Sequence, residues 1–330
     1  MSNIKLSIIV CVYNGEKDIG RCLDSLVNQK ASPDLFEVIV VNNNSTDRTQ
    51  EIADSYYGKI KNYKVVTEYA IGLSNARNRG YKESIANYVG YIDDDAKARP
   101  DYIEKAIRII EEIQPDIFGG LIYPFYVSEK PEWFKDQYEI RMEQKETGFM
   151  NRGTLSGSNI IFKKELLRLY NGFNPALGME GDNLGYGEET KLVERAFKEK
   201  RKIYYDVDLI VEHIVPPFKM NILYFIVKAF KGSYQMVSTN QQESIIYLDE
   251  ISMKFKNLFN DIESNFKNKY SEEKIENFLI ENNRFDSFSL LGILSALIEK
   301  KEFNKIKKSR KNFLTPIKSL IKKILFKKRQ

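Results

Sequence analysis

The chain has 330 residues, 42% hydrophobic and 29% charged, an ordinary globular balance with room for one large domain and an appendage. Net charge is +5, yet residues 305–330 hold eleven Lys and Arg and no acids, leaving 40 basic against 46 acidic residues elsewhere. That distribution excludes a nucleic-acid binder with basic residues spread over its folded surface.

The pattern of apolar residues predicts alternating strands and helices. Residues 5–12 form a continuous apolar run with Ile8, Ile9 and Val10, the mark of a strand buried on both faces. Tyr13-Asn14-Gly15 breaks it, and Ile19, Leu23, Leu26 and Val27 then fall on one helical face. Residues 36–41 predict a second strand, closed by Asn42-Asn43-Asn44. Ser45 is expected to cap the following helix, with Asp47 in its first turn. Short strands at 63–67 and 88–92 flank a helix at 74–84. After Pro100 comes a helix with Ile103, Ala106, Ile107 and Ile110 inward. Such alternation predicts a doubly wound α/β sheet.

Regularity fades beyond that point. Short strands are expected at 117–122 and 158–162, around a polar, aromatic-rich insertion with Trp133 and Phe134. A helix enters through Glu188-Glu189, and two strands follow at 202–206 and 209–213. From Pro216 onward the pattern is mostly helical. Domain limits of 1–215 and 216–330 follow. Residues 222–227 are the best membrane-spanning candidate, and Lys228 stops them far short of the ~18 apolar residues a span needs. No secretory leader is expected, since Met1-Ser2-Asn3 leads straight into an apolar strand. Cys11 and Cys22 have no metal or redox spacing and read as small core residues of a reducing compartment.

The chemistry concentrates in Asp93-Asp94-Asp95. Three adjacent acids at the end of a buried strand repel one another, a cost that a divalent cation would remove. Asp93 and Asp95 are spaced to reach one hard cation that keeps sites for a diphosphate, and ligands of open α/β sheets bind just beyond the strand ends.

Four blocks in order carry a resemblance to the family 2 glycosyltransferases of GT-A fold, over residues 5–215. They are residues 7–15 (Ser-Ile-Ile-Val-Cys-Val-Tyr-Asn-Gly), 41–47 (Val-Asn-Asn-Asn-Ser-Thr-Asp), 72–80 (Gly-Leu-Ser-Asn-Ala-Arg-Asn-Arg-Gly) and the acid triplet. The resemblance implies a mixed, Rossmann-like sheet flanked by helices, with a helical extension after it. It implies an inverting transferase that uses a nucleotide-sugar and a divalent cation, Mn²⁺ or Mg²⁺. Asp93, Asp95 and His213 would be the metal ligands, His213 being the single histidine of the chain. Val12, Tyr13, Asn14, Asn42, Asn43, Arg77, Asp93 and Asp94 would meet the donor, with Arg77 beside its phosphates. Glu189 would be the general base that takes the acceptor hydroxyl's proton, with Glu188 beside it. Gly157, Ser158, Asn159 and Trp133 would shape the acceptor site.

Two positions depart from the family pattern. Asn42 stands where a carboxylate usually meets the nucleobase, and Glu189 where Asp is commoner. The other readings are a nucleotidyltransferase, which wants a basic Gly-rich loop that 12–17 does not supply, and a degenerate scaffold. Ile317, Leu320, Ile321, Ile324 and Leu325 space an apolar face against Lys318, Lys322, Lys323 and Lys327. Such a basic amphipathic helix fits an anionic membrane surface. A cytoplasmic protein at the inner membrane face is expected, acting on a glycan or polyprenyl-linked acceptor in cell-surface polysaccharide assembly.

Overall fold

The computed structural model describes residues 3–131, 134–178 and 187–220. The chain divides into two compact units, Met1–Pro216 and Pro217–Gln330. Of the second, the described residues are a single 3₁₀ turn, Pro217–Met220. The amphipathic tail and Trp133 lie outside the described residues.

The first unit is built on one mixed sheet. In chain order its elements are β1 (Leu6–Val12), α1 (Ile19–Val27), β2 (Phe36–Asn42), α2 (Thr49–Asp54), β3 (Tyr63–Thr67), α3 (Leu73–Glu83), β4 (Tyr88–Tyr91), β5 (Ala96–Ala98), α4 (Tyr102–Glu112), β6 (Ile117–Tyr126), β7 (Gly148–Phe149), β8 (Ile160–Lys163), α5 (Lys164–Leu169), α6 (Glu188–Lys198) and β9 (Ile203–Val215). The strand order is β3-β2-β1-β4-β8-β6-β9-β5, with β7 on β9. Strands β1 to β4 are parallel, whereas β8 runs against both β4 and β6.

Helices cover both faces, so the central strands are buried on both sides and need not alternate in polarity. Ile19, Cys22, Leu23 and Leu26 of α1 join Ile103, Ala106 and Ile107 of α4 against Ile8, Val10 and Val38 on one face. On the other, Ala76 of α3, Leu166 and Leu167 of α5, and Leu192 and Val193 of α6 pack on Ile9, Ile39 and Val89.

Three local expectations change. Ser45 does not cap α2; its hydroxyl accepts the Asn14 N–H at 2.9 Å. Asp47 does the capping work, accepting the Thr49 N–H at 3.0 Å. The two strands expected at 202–206 and 209–213 are one strand, β9, bent at a bulge where its register against β6 shifts between Gly120 and Ile122. Gly120 makes the bulge possible, because a Cβ there would overlap the carbonyls of Asp206 and Leu209. The short strand β5 has no apolar run of its own and was not expected. It pairs antiparallel to β9, with Ala96 opposite His213 and Ala98 opposite Val211.

Candidate functional site

The parallel strands end together, and their turns are laced. Asn14, in a left-handed conformation (φ 52°), accepts the Thr46 N–H on Oδ1 at 2.8 Å. Asn43 donates its N–H to the Val12 carbonyl at 2.8 Å. The Asn43 side chain braces the entry to α3, donating to the carbonyls of Glu68 and Ala70 and accepting from Gly72 N–H. Asn42 is buried and its amide is engaged on both sides. Its oxygen accepts the Ser45 N–H at 2.9 Å and its nitrogen donates to Gln50 Oε1 at 2.7 Å. Tyr13, in contrast, is exposed beside these turns.

The acid loop lies between β4 and β5. The β5–β9 ladder is locked by Glu212, which pairs with Lys97 at 2.8 Å and Arg99 at 3.3 Å. That register carries His213 to the acids, with Nε2 3.2 Å from Asp95 Oδ1 and 3.8 Å from Asp93 Oδ2. Its Nδ1 lies 3.0 Å from the Ile214 carbonyl, which can only accept, so Nδ1 carries a proton and Nε2 faces the acids, donating to them when the ring is protonated. Asp93, Asp95 and His213 each offer one atom, all within 4.8 Å of one another. Two carboxylates and an imidazole nitrogen suit a divalent cation such as Mn²⁺ or Mg²⁺.

Burial works against the charged form of Asp93, but the His213 hydrogen bond and the charges of Arg77, His213 and Arg141 outweigh it, lowering its carboxyl to about 2. Burial also works against imidazolium at His213, and there Asp93 and Asp95 prevail, so its pKa rises. For Asp94, burial and the two flanking acids all act one way and push its pKa well up. The Asp94 carboxyl lies against Gly15, where a Cβ would strike it.

Arg77, on α3, is the hub of the other half. It is only 3% exposed. It ion-pairs with Glu188 and lies 3.6 Å from Asp93 Oδ1 and 3.7 Å from Glu189 Oε2. Glu188 and Glu189 open α6, where the helix dipole favours acids. Burial raises the pKa of Glu189; Arg77 pulls it down and Glu188 pushes it up, for a net rise.

The structure thus brings together Asp93, Asp95, His213, Arg77, Glu188 and Glu189. The 157–159 turn, expected to shape the acceptor site, is buried among the strands in this structure. Ser158 and Asn159 are 1% and 0% exposed. Asn159 holds the β6–β9 bulge closed, donating to the carbonyls of Leu121 and Leu209 while Tyr102 Oη donates to its oxygen at 2.9 Å. Gly157 is buried against the Arg77 guanidinium. Sequence reasoning missed Arg141, whose charge reaches Asp93, because nothing near it in the chain marks it. It also missed that Arg77 is buried, since helical spacing alone does not say which face is covered from above.

A mixed sheet whose parallel half ends in laced turns and an acid loop, with helices on both faces, is the GT-A fold of nucleotide-sugar transferases. Residues 7–170 match the profile of glycosyl transferase family 2. The chain belongs to that family and is a glycosyltransferase. It is 26% identical over 242 residues to the glucosyl-dolichyl phosphate glucuronosyltransferase of Haloferax volcanii, covering 70% of this chain and 76% of that one. The next curated relatives match over 18% to 38% of their own lengths. Staphylococcus aureus TarS 1–349 in complex with UDP-GlcNAc shares the fold with a TM-score of 0.52 and 21% identity, over 89% of this chain and 84% of that one. The mannosyltransferase PcManGT of Pyrobaculum calidifontis in complex with GDP-Man and Mn²⁺ does so with a TM-score of 0.54 and 15% identity, over 97% and 79%. Among the described residues no helix is long and apolar enough to cross a membrane.

Proposed function

We propose that this chain transfers a single sugar from a nucleotide-sugar to a glycan or lipid-linked acceptor, with inversion at the anomeric carbon. The observation that carries the reading is the meeting of two acid groups of different character around Arg77. Asp93 is held ionised beside His213 and Asp95, while Glu189 sits within reach of the same guanidinium with a raised pKa. A base poised above the ordinary carboxylate range suits proton removal from an alcohol better than a fully stabilised carboxylate does.

Asp93, Asp95 and His213 would hold Mn²⁺ or Mg²⁺, which when bound supplies charge stabilisation for the departing nucleoside diphosphate. The chain's own residues do the rest. Tyr13 and the turns at Val12–Asn14 and Asn42–Asn43 seat the nucleoside. Asp94 meets the donor's ribose or sugar. Glu189 takes the acceptor hydroxyl's proton. The solved relatives bound to UDP-GlcNAc and to GDP-Man with Mn²⁺ support this class of donor. The dolichyl phosphate relative supports a lipid-linked acceptor, which fits a cytoplasmic, membrane-peripheral location through residues 305–330.

The test is thermal shift against UDP, GDP, CDP, TDP and ADP and their common sugar conjugates, each with Mn²⁺, Mg²⁺ or EDTA. Stabilisation by one base family that needs the cation is expected. No shift with any nucleotide in either metal would overturn the reading.

A further inference from the structure

Arg77 is surrounded on every side by groups of this chain. Glu188, Glu189 and Asp93 take its charge. The rings of Phe173 and Tyr91 flank it with centroids 5.5 and 5.9 Å away. Gly157 closes the remaining side so tightly that a Cβ there would overlap the guanidinium nitrogens. A cation meant to clasp a diphosphate needs an open face, and this one has none.

Its contacts have a different geometry in common. Glu188 and Glu189 form the first turn of α6, and Asp93 opens the acid loop. Arg77 therefore bridges the two sets of acids that the reaction uses. The rest of that face of α3 holds the approach to α6 in the same way. One turn earlier, Ser74 Oγ donates to the Leu177 carbonyl at 2.8 Å. Beside Arg77, Asn78 makes a two-way pair with Phe173, donating to its carbonyl and accepting its N–H, both at 2.8 Å. Gly178, at φ +89°, lets the chain pass close to both Ser74 Oγ and the Glu188 carboxylate.

We propose that Arg77 is a positioning residue and not a phosphate ligand: by anchoring buried Glu188 it fixes the first turn of α6, and so the direction in which Glu189 presents its carboxylate. This rests on the reading of Glu189 as the base. A planar fork that meets several carboxylates at once is what the site requires, and the point charge of a lysine does not replace it. Glu188, 5% exposed, is the anchor of α6 and takes no proton from the acceptor.

The experiment compares the full chain with Arg77→Gln, Arg77→Lys, Glu188→Gln and Glu189→Gln. Hydrogen–deuterium exchange is measured without ligand, and UDP and GDP binding are measured with Mn²⁺. Arg77→Gln is expected to speed exchange of peptides covering 187–193 by about tenfold or more, with β2 and β3 unchanged. Nucleoside diphosphate affinity should stay within about threefold, and turnover of whichever nucleotide-sugar is bound should fall in kcat with little change in donor KM. Arg77→Lys should recover little. Glu189→Gln should lose turnover with exchange unchanged; an active Glu189→Gln would remove the base assignment and leave the exchange result for Arg77 standing. Unchanged exchange over 187–193 in Arg77→Gln, or a tenfold or greater loss of diphosphate affinity with turnover falling in proportion, would overturn the proposal. Should Arg77→Gln fail to fold, Glu188→Gln carries the same exchange and affinity readouts with the guanidinium in place.

Discussion

His213 Nε2 stands 3.2 Å from Asp95 Oδ1 because Ala96 pairs with His213 across the β5–β9 ladder. The contact is therefore a product of register. Ile214 N–H donates to the Asp95 carbonyl at 2.9 Å, so the backbone as well as the side chain is fixed there. Removing Asp95 or His213 should cost metal-dependent nucleotide binding without unfolding the sheet. With a nucleoside diphosphate at about 100 times its Kd, a stabilisation of about 2.7 kcal/mol is expected in the unmodified chain. Asp95→Ala should abolish it, and His213→Ala should weaken Mn²⁺ affinity by roughly tenfold or more. Calorimetric Mn²⁺ titration in the presence of the nucleotide reads both. Equal affinity in either variant would remove that residue from the ligand set.

Glu189 gives a pH dependence with a definite sign. Its folded pKa is raised above 4.5, by burial first and Glu188 further down, against the pull of Arg77. A base must be ionised to act, so the acid limb of kcat/KM should lie above the ordinary glutamate value. Stability runs the other way. The folded state binds the proton more tightly than the unfolded chain, so the contribution of Glu189 declines as pH rises from 4.5 through the raised value. Glu189→Gln should remove that decline, and its stability relative to the unmodified chain should be more favourable at pH 8 than at pH 4. Denaturant melts at the two pH values measure this, and a difference of the opposite sign would contradict the shift.

Much of this was legible in the sequence where a local pattern carried it. The fully apolar runs of β1 and β2 and the helical spacing of Ile19, Leu23 and Leu26 fix buried strands and an amphipathic helix without any long-range information. Val27, expected on the same face, is exposed, and Cys22 takes the inner position. The acid triplet was legible because three adjacent like charges at a strand end repel one another unless something balances them. β5 was not, since Ala96-Lys97-Ala98 is a strand only because β9 lies beside it. The bulge in β9 was hidden for the same reason: Val207-Asp208 reads as a break, but Asp206 Oδ1 accepts the Asp208 N–H at 2.8 Å and keeps the strand continuous. The position of Asn159 in the core was equally invisible, because its three partners come from α4, β6 and β9.

Asn42 is a test of how the base is recognised. Its amide caps the turn after β2 through Ser45 and Gln50, and Gln50 in turn donates to Asp54. Asn42→Asp would keep the acceptor for the Ser45 N–H but set a carboxylate against Gln50 Oε1. The expected result is a stability loss of about 1–2 kcal/mol, together with a shift of nucleotide preference toward UDP, whose base offers an N–H to a carboxylate. A panel of nucleoside diphosphate affinities in both chains reads it. An unchanged order of preference would place base recognition elsewhere in the turns.

Asn159 distinguishes a brace from an acceptor contact. At the bulge the ladder between β6 and β9 cannot pair every carbonyl, and the Asn159 amide donates to the two left over, Leu121 at 3.1 Å and Leu209 at 2.8 Å. Tyr102 Oη fills its third position. In Asn159→Leu those two carbonyls and the hydroxyl would be buried without partners, each costing about 1–3 kcal/mol. A combined loss of roughly 3–5 kcal/mol is expected after partial relaxation, read by urea denaturation. Asn159→Asp should fail as well, because a carboxylate has no N–H to give and would face two carbonyl oxygens. Nucleotide affinity in whatever fraction remains folded should be unaltered, since no polar atom of Asn159 faces the site. A stable Asn159→Leu with impaired sugar transfer would return the residue to the acceptor side.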